Sequence, residues 1–248
     1  MLKKYRKLWV FGDSYSTPNI EVSPIDSFWG KMATEIGADT IVNVSRPCNS
    51  FDSISHLIVG MQEEYNWEED FLLFCLGPLE RVTIFDDYQD TEYLGWNIDT
   101  KTWNSNQIDI PCHRGLVSEQ LYGTDKFLII HSDRAWLETQ TLRTIFLITS
   151  WLDSVKANYL VLNLSKPLDI ENHWGPSEFL LNYAKNHPRC NIFNDTYQSV
   201  NIDINKPGDF EKYGWNGHHS EPGNTLYFEK IVYPLLQSLT AIEEKTNC

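Results

Sequence analysis

The sequence lacks any apolar run that approaches the roughly 20 residues a transmembrane helix requires. Its basic start, MLKKYRK, is followed by only four apolar residues before polar residues resume, whereas a secretory signal peptide needs a longer apolar core. These two absences predict a soluble protein of the cytoplasm with no membrane partner.

Positive charge is also scarce. The chain has 20 Lys and Arg against 34 Asp and Glu, which gives a formal net charge of -14 at pH 7. Proteins that bind nucleic acid need Lys and Arg to displace counterions from the phosphates, and a strongly acidic surface repels those phosphates. The composition therefore excludes a general nucleic-acid binder, and small neutral or cationic molecules remain as partners.

Cysteine is sparse and shows no pairing pattern. The five cysteines are an odd number and widely spaced, without a C-x-x-C pair or a His at zinc-site spacing. The sequence also has neither the Gly-rich loop that cradles phosphates nor the G-x-S-x-G turn of α/β-hydrolases. We expect reduced cysteines, with Cys75 in the core, and neither a nucleotide enzyme nor an ordinary α/β-hydrolase.

Hydrophobic residues make up 42% of the 248 residues, enough for one sizeable core, and we expect a single domain over 1–248. Short apolar runs alternate with stretches of helical periodicity, which predicts a parallel sheet between two helix layers. Right-handed crossovers favour a three-layer α/β/α, doubly wound sheet of flavodoxin type. The predicted strands are 7–12, 40–44, 71–76 and 159–164, all neighbouring and parallel, and 190–194; the predicted helices are at about 27–36, 51–64, 136–156 and 176–186.

Residues 86–130 interrupt this alternation. They are rich in Asp, Asn, Thr and aromatic residues and have no helical periodicity. The segment is too long for an ordinary connection between two elements. Two interpretations stay open: a solvated surface excursion, or a cap beside the active site, since long loops of α/β folds commonly carry specificity.

The segment KLWVFGDSYS leads from the first predicted strand directly into Gly12, Asp13 and Ser14. Ligands of a doubly wound sheet gather at the carboxyl ends of the strands, so Ser14 is suitably placed to act as a nucleophile. Asp and Ser also commonly cap turns, and that alternative stays open for Asp13 and Ser14.

A pair of histidines, His218 and His219, precedes an amphipathic helix near the other end of the sequence. A Pro opens this helix, and apolar residues recur at 228, 231, 235 and 239. The positive end of a helix dipole favours the neutral form of a nearby imidazole, which can accept a proton. The arrangement predicts a general base, with a solvated His pair as the alternative.

Together, FGDSYS near one end and HHSEPGN near the other resemble the first and closing motifs of the SGNH (GDSL) hydrolase family. The resemblance implies that Ser14 is the nucleophile and that His218 is the catalytic His, with His219 at the position of a family Pro. It also implies the three-layer α/β/α fold and an enzyme without a metal or an organic cofactor.

The two middle motifs of the family match less closely. NVSRPCNSFDSI resembles the second motif with Cys48 at the Gly position, which implies that the backbone N–H groups of Ser14 and Cys48 bind the oxyanion. GPLE is similar to the third motif, but Leu79 stands where the family has an oxyanion-binding Asn and cannot donate a hydrogen bond. Arg81, Asn49 or another backbone amide would have to supply that donor; for Arg81, an ion pair with a carboxylate is the alternative.

The closing motif also departs from the family. Trp215 occupies the position three before the catalytic His, where the family usually places an Asp. Such a carboxylate fixes the tautomer of the His and stabilises the imidazolium. Asp209 is the nearest replacement, and a Ser-His dyad oriented by Asn216 or a backbone carbonyl is the other possibility. Asp13 is a further candidate for an orienting role.

These residues predict an SGNH-type serine esterase that acts on a small-molecule or carbohydrate ester, with an O-acetyl group as one substrate. The carbohydrate rests on family analogy and on Tyr93, Trp96 and Trp103, aromatic residues of the insertion that can stack on a sugar ring. The alternative is a binding or structural module in which the fold is kept and the chemistry has decayed.

Overall fold

The computed structural model describes residues 4–13, 15–17, 22–45, 51–77, 81–83, 89–97, 102–112, 115–117, 134–164, 177–192, 214–215 and 218–246. For 52–53, 81–117, 134–138, 177, 214–219 and 242–246, the structure describes only the backbone of the residues in these ranges.

A seven-stranded sheet forms the centre of the protein, and five of its strands are parallel. The strands of this sheet are β1 Lys7–Gly12, β2 Thr40–Asn43, β3 Asp70–Leu76, β5 Gln89–Asn97, β6 Thr102–Cys112, β8 Asn158–Asn163 and β9 Cys190–Asn191. The neighbouring parallel pairs β2–β1, β1–β3 and β3–β8 confirm the arrangement predicted from the four apolar runs.

The five parallel strands lie in the order β2-β1-β3-β8-β9. Numbered along the chain, this is the order 2-1-3-4-5 of flavodoxin-type doubly wound sheets. The helices are α1 Phe28–Glu35, α2 Phe51–Gly60, α3 Arg134–Ser154, α4 Ser177–Asn186, α5 Glu221–Tyr227 and α6 Tyr233–Thr246.

Helices cover both faces of the sheet. One apolar cluster joins alternate strand residues such as Trp9 and Phe74 to α2, α3 and α4. The other joins the intervening strand residues, such as Leu8 and Leu73, to α1 and the C-terminal helix. A strand buried on both faces has no polar alternation, which is why its sequence is continuously apolar. The predicted three-layer α/β/α architecture is confirmed.

Helix α1 begins and ends where its sequence predicts. The Ser27 side chain caps it by accepting the N–H of Gly30 at 3.0 Å. At the other end Gly37 has φ +65°, and the N–H of Ala38 bonds the carbonyl of Ala33 at 2.9 Å. This closing turn needs a left-handed residue, and Gly adopts that conformation without steric cost.

The described part of the insertion at 86–130 contains regular structure, and its role as a surface excursion or as a cap beside the active site stays a prediction. Strands β5 and β6 form an antiparallel hairpin, and β5 continues the sheet by pairing antiparallel with β2. Two short strands, β4 Arg81–Thr83 and β7 Gly115–Val117, pair at its base. Backbone hydrogen bonds to the edge of β2 stabilise β5 as a strand. The polar side chains of the segment do not predict these backbone bonds.

A π-helical segment, Phe228–Val232, separates α5 from α6. Pro234 has no N–H to donate, and a wider turn before it accommodates the missing bond. The extra residue shifts the buried stripe, so that it comprises Tyr227, Val232, Leu236 and Leu239. Of the apolar positions predicted from a regular helix, 239 is buried, whereas 228, 231 and 235 are only partly buried against the same cluster.

Candidate active site

The carboxyl ends of β1, β2 and β3 lie side by side, with Gly12 at the end of β1 paired with Cys75. Sheets of this strand order bind ligands at this edge, next to the first strand. Ser14 follows β1 after a single residue, Asp13. Ser14 itself lies outside the described residues, and its role as nucleophile stays a prediction.

Asp13 organises the turn that carries Ser14. Its Oδ1 accepts the N–H of Tyr15 at 3.0 Å, and its carbonyl accepts the N–H groups of Ser16 and Thr17, each at 3.1 Å. The hydroxyls of Ser16 and Thr17 donate to the same carbonyl, at 3.1 and 2.9 Å. Asp13 therefore caps this turn, and its orienting role toward His218 stays a prediction.

Gly12 makes this turn possible because a side chain does not fit there. A Cβ on Gly12 would overlap Ser16 Oγ and would lie 2.7 Å from the Cβ of Cys75. The Gly of the Gly-Asp-Ser sequence is thus required by the close approach of the turn to β3.

A buried polar network joins this turn to the end of β2. Asn43 Nδ2 donates to the carbonyl of Ser16 at 2.8 Å, and Asn43 Oδ1 accepts the N–H of Ser45 at 2.9 Å. The hydroxyl of Ser16 bonds that of Ser45 at 3.0 Å. Exposure of the three residues is 3%, 0% and 8% for Asn43, Ser16 and Ser45, so these bonds are shielded from water.

Cys75 is fully buried beneath the turn, which confirms its predicted core position. Burial raises the pKa of the Cys75 thiol well above its ordinary value, the negative charge of Asp13 raises it further, and a hydrogen bond with Ser16 opposes both effects. Because the thiolate is the nucleophilic form, Cys75 is not a competing nucleophile at neutral pH.

The two histidines occupy a short hairpin, in which β10 Gly214–Trp215 pairs antiparallel with β11 His218–His219. The two intervening residues are Asn216 and Gly217, a dipeptide strongly favoured in two-residue hairpin connections. Trp215 and His218 are partners in the register. Trp215, at the position of the family's Asp, is therefore beside His218. Its indole can only donate a hydrogen bond, so it cannot replace a carboxylate.

Asn224 ties the start of α5, the helix that directly follows this hairpin, to the start of α1. Its Oδ1 accepts the N–H of Phe28 at 3.0 Å, and its Nδ2 donates to the carbonyl of Ser220 at 3.1 Å. Ser220 caps α5 and directly follows His219. Because a helix that follows a parallel strand begins near the carboxyl end of that strand, this bond ties the start of α5 to the edge of the sheet at which β1 ends.

The other predicted site residues divide into two groups. Arg81 begins β4 and pairs in register with Val117, and only its backbone is described. Ser14, Cys48, Asn49, Leu79, Asp209 and Asn216 lie outside the described residues. The oxyanion donors and the third member of the triad stay predictions.

The three aromatic residues of the insertion, Tyr93, Trp96 and Trp103, do not all lie on one face of the β5–β6 hairpin. Trp96 and Trp103 are directly opposed in the β5–β6 register. Tyr93 is three residues from Trp96 along β5, and positions an odd number apart belong to opposite faces of a strand. The hairpin therefore brings the two Trp positions together and separates Tyr93 from them.

Asn43, Ser45 and Asn224 were not predicted as site residues. For Asn43 the sequence holds a usable signal, a single amide at the end of an apolar run that opens the segment resembling the family's second motif. For Asn224 no local signal exists, because its partner Phe28 is 196 residues away.

The described ranges contain neither a grouped metal-ligand set nor a membrane-spanning helix. Within the ranges that the structure describes, no three His, Cys, Asp or Glu side chains are grouped so that they could hold a metal ion. None of the helices in these ranges combines the length and hydrophobicity needed to span a bilayer.

No family model matches the chain, and no curated protein does either.

Proposed function

We propose that the protein is a serine esterase of the SGNH type. The observation that carries the proposal is the position of the Gly-Asp-Ser turn at the carboxyl end of β1, at the same edge as the closing segment that Asn224 ties to α1. The bond from Phe28 to Asn224 joins the end of the closing motif to the helix that follows the Gly-Asp-Ser turn, which supports a common site for the two motifs. The acidic composition supports a small-molecule or carbohydrate ester as substrate, and a cytoplasmic location is part of the same proposal.

In the proposed reaction, Ser14 Oγ attacks the ester carbonyl while His218 takes the hydroxyl proton. The backbone N–H groups of Ser14 and Cys48 donate to the resulting oxyanion, with Arg81 and Asn49 as further donors. His218 returns the proton to the departing alcohol, which leaves an acyl group on Ser14. Water then attacks this acyl-enzyme with His218 again as base, releasing the acid and restoring the hydroxyl.

The proposed site differs from a complete family triad because no Asp stands three residues before His218. Trp215 cannot take the role of the family's Asp, so Asp209 or a dyad supported by Asn216 is proposed instead. Losing the carboxylate costs on the order of 10⁴ in rate in a well-studied triad. We therefore propose a slow esterase.

An O-acetylated carbohydrate is the proposed substrate class. The paired positions of Trp96 and Trp103 support it, because adjacent indoles offer one apolar platform to a sugar ring. Tyr93 belongs to the opposite face of β5 and is not part of this proposed platform.

Covalent labelling by a fluorophosphonate tests the proposal directly. Wild-type protein should be labelled on Ser14, and Ser14→Ala should not be labelled. His218→Ala should lose labelling and turnover of p-nitrophenyl acetate, while His219→Ala should keep most of both, because neighbouring residues of a strand belong to opposite faces. Folded wild type that is neither labelled nor active would favour the binding module instead.

A further inference from the structure

We infer that Asn43 is a positioning residue, which holds the turn carrying Ser14 at a fixed distance from the segment that begins after β2. This inference rests on the proposed function, because that segment includes Cys48 and Asn49, the proposed oxyanion donors. Asn43 does not itself touch the substrate in this scheme.

The contacts of Asn43 span the two parts of the site. Its Nδ2 binds the carbonyl of Ser16, two residues after the proposed nucleophile, at 2.8 Å. Its Oδ1 binds the N–H of Ser45, three residues before Cys48, at 2.9 Å. One planar amide therefore sets the separation between the nucleophile turn and the chain that leads to the proposed oxyanion donors.

A second bond acts in parallel. Ser16 Oγ and Ser45 Oγ are 3.0 Å apart, and Ser16 Oγ also donates to the carbonyl of Asp13. The same two stretches of chain are thus linked through side chains as well as through the Asn43 amide. Buried networks in which the groups are satisfied rigidify their surroundings, because a broken bond would leave a polar group without a partner.

The expected consequence is kinetic. Reaction requires the nucleophile and the oxyanion donors to be placed together, and a displacement of about 1 Å can cost on the order of 10²-fold in rate. Substrate binding by other surfaces does not depend on this alignment. Loosening the network should therefore lower kcat and leave KM nearly unchanged.

The sheet offers a matched control in Asn158, at the amino end of β8. Its Nδ2 also donates to main-chain carbonyls, those of Trp67 at 3.0 Å and of Glu68 and Asp70 at 3.3 Å. Asn158 is 8% exposed, and Asn43 is 3% exposed. The two amides share chemistry and burial but lie at opposite ends of the parallel strands, so only one of them adjoins the proposed site.

The experiment compares Asn43→Ala with Asn158→Ala in the full chain, using p-nitrophenyl acetate, fluorophosphonate labelling and thermal unfolding. Both variants should melt at lower temperature. Asn43→Ala should lose about 10- to 100-fold in kcat and in labelling rate with KM within about twofold, whereas Asn158→Ala should stay within about twofold in kcat. If Asn43→Ala does not fold, Ser45→Ala decides, with a smaller fall of about 3- to 10-fold in kcat.

Three results would overturn the inference. Wild-type kcat in a folded Asn43→Ala, or in Ser45→Ala where that variant decides, would show that the network does not position the turn. An equal fall in kcat in Asn43→Ala and Asn158→Ala would show that the effect is general destabilisation. Absence of labelling and turnover in the wild type would refute the proposed function itself, and the inference with it.

Discussion

At the scale of single residues, the carboxyl end of β1 is built from polar groups that are each bonded several times. The carbonyl of Asp13 accepts four hydrogen bonds, and both ends of the Asn43 amide are used. Such groups restrict the conformations open to the described residues on either side of Ser14, namely Asp13 and 15–17. In the proposed esterase, the rate should then depend on the oxyanion donors, and position 79 is where the family supplies one.

Replacing Leu79 by Asn should increase the rate of the proposed esterase. Leu offers no donor, and removing one side-chain donor from an oxyanion hole typically costs about 10² to 10³ in kcat. Leu79→Asn should therefore raise kcat on p-nitrophenyl acetate by about 10-fold or more. A wild type that is already as fast as ordinary esterases would show that Arg81, Asn49 or a backbone amide fills the place.

Adding a methyl group at Gly12 should disrupt the turn. The new Cβ would lie 2.7 Å from Cys75 Cβ and would displace Ser16 Oγ. Overpacking of this kind typically costs about 1–3 kcal/mol, and Gly12→Ala should lower the free energy of unfolding in urea by that amount. Unchanged stability together with unchanged labelling of Ser14 would contradict the close approach of the turn to β3.

At the scale of elements, α1 and α3 end in the same hydrogen-bonded turn with different residues in it. The N–H of Ala157 bonds the carbonyl of Leu152 at 2.9 Å, as Ala38 does with Ala33 at the end of α1. The left-handed residue is Gly37 in α1 and Lys156, with φ +56°, in α3. A residue with a Cβ is strained in this conformation, whereas Gly is not.

Separate substitutions at positions 37 and 156 should change the free energy of unfolding in opposite directions. Lys156→Gly should raise the free energy of unfolding by about 0.5–1 kcal/mol, because it relieves the strain at an exposed position. Gly37→Ala should lower it by about 1 kcal/mol. Urea unfolding of the two variants measures both changes, and a destabilised Lys156→Gly would contradict the left-handed conformation of that residue.

At the scale of the whole molecule, the core holds several groups that ionise only at alkaline pH. Burial raises the pKa of Cys75, Tyr65 and Tyr159 above their ordinary values. In Tyr159 a hydrogen bond from its hydroxyl to Asp153 Oδ1 at 2.7 Å raises the pKa further. Each group remains protonated in the folded protein at a pH where the unfolded chain has lost its proton.

The free energy of unfolding should therefore fall as pH rises above about 9. The unfolded thiol ionises near 9.0, so the stability that Cys75 contributes is complete below that pH and is lost above it, by about 1.4 kcal/mol per pH unit per group. Urea unfolding at pH 8 and pH 10 measures the loss. Cys75→Ser has no ionising thiol and should lose about 1 kcal/mol less than wild type; an equal loss would contradict the prediction.

The sequence by itself determined the parallel core and its order of elements. The buried strands are continuously apolar because helices cover both of their faces, so short apolar runs were sufficient to locate β1, β2, β3 and β8. The helix predicted at about 27–36 matches α1 closely, because capping, here by Ser27 and Gly37, depends on residues only a few positions apart. The two motifs at either end of the chain identified Ser14 and His218 as candidates.

Only the tertiary structure decided the features that depend on contacts between distant parts of the chain. The hairpin of β5 and β6 joins the sheet through backbone bonds to the edge of β2, which polar side chains do not reveal. The bond between Asn224 and Phe28 joins residues 196 positions apart, and Asn43 bonds a turn 27 residues before it. Local sequence patterns reflect burial and capping over a few residues, whereas these bonds form only when folding brings separate segments together.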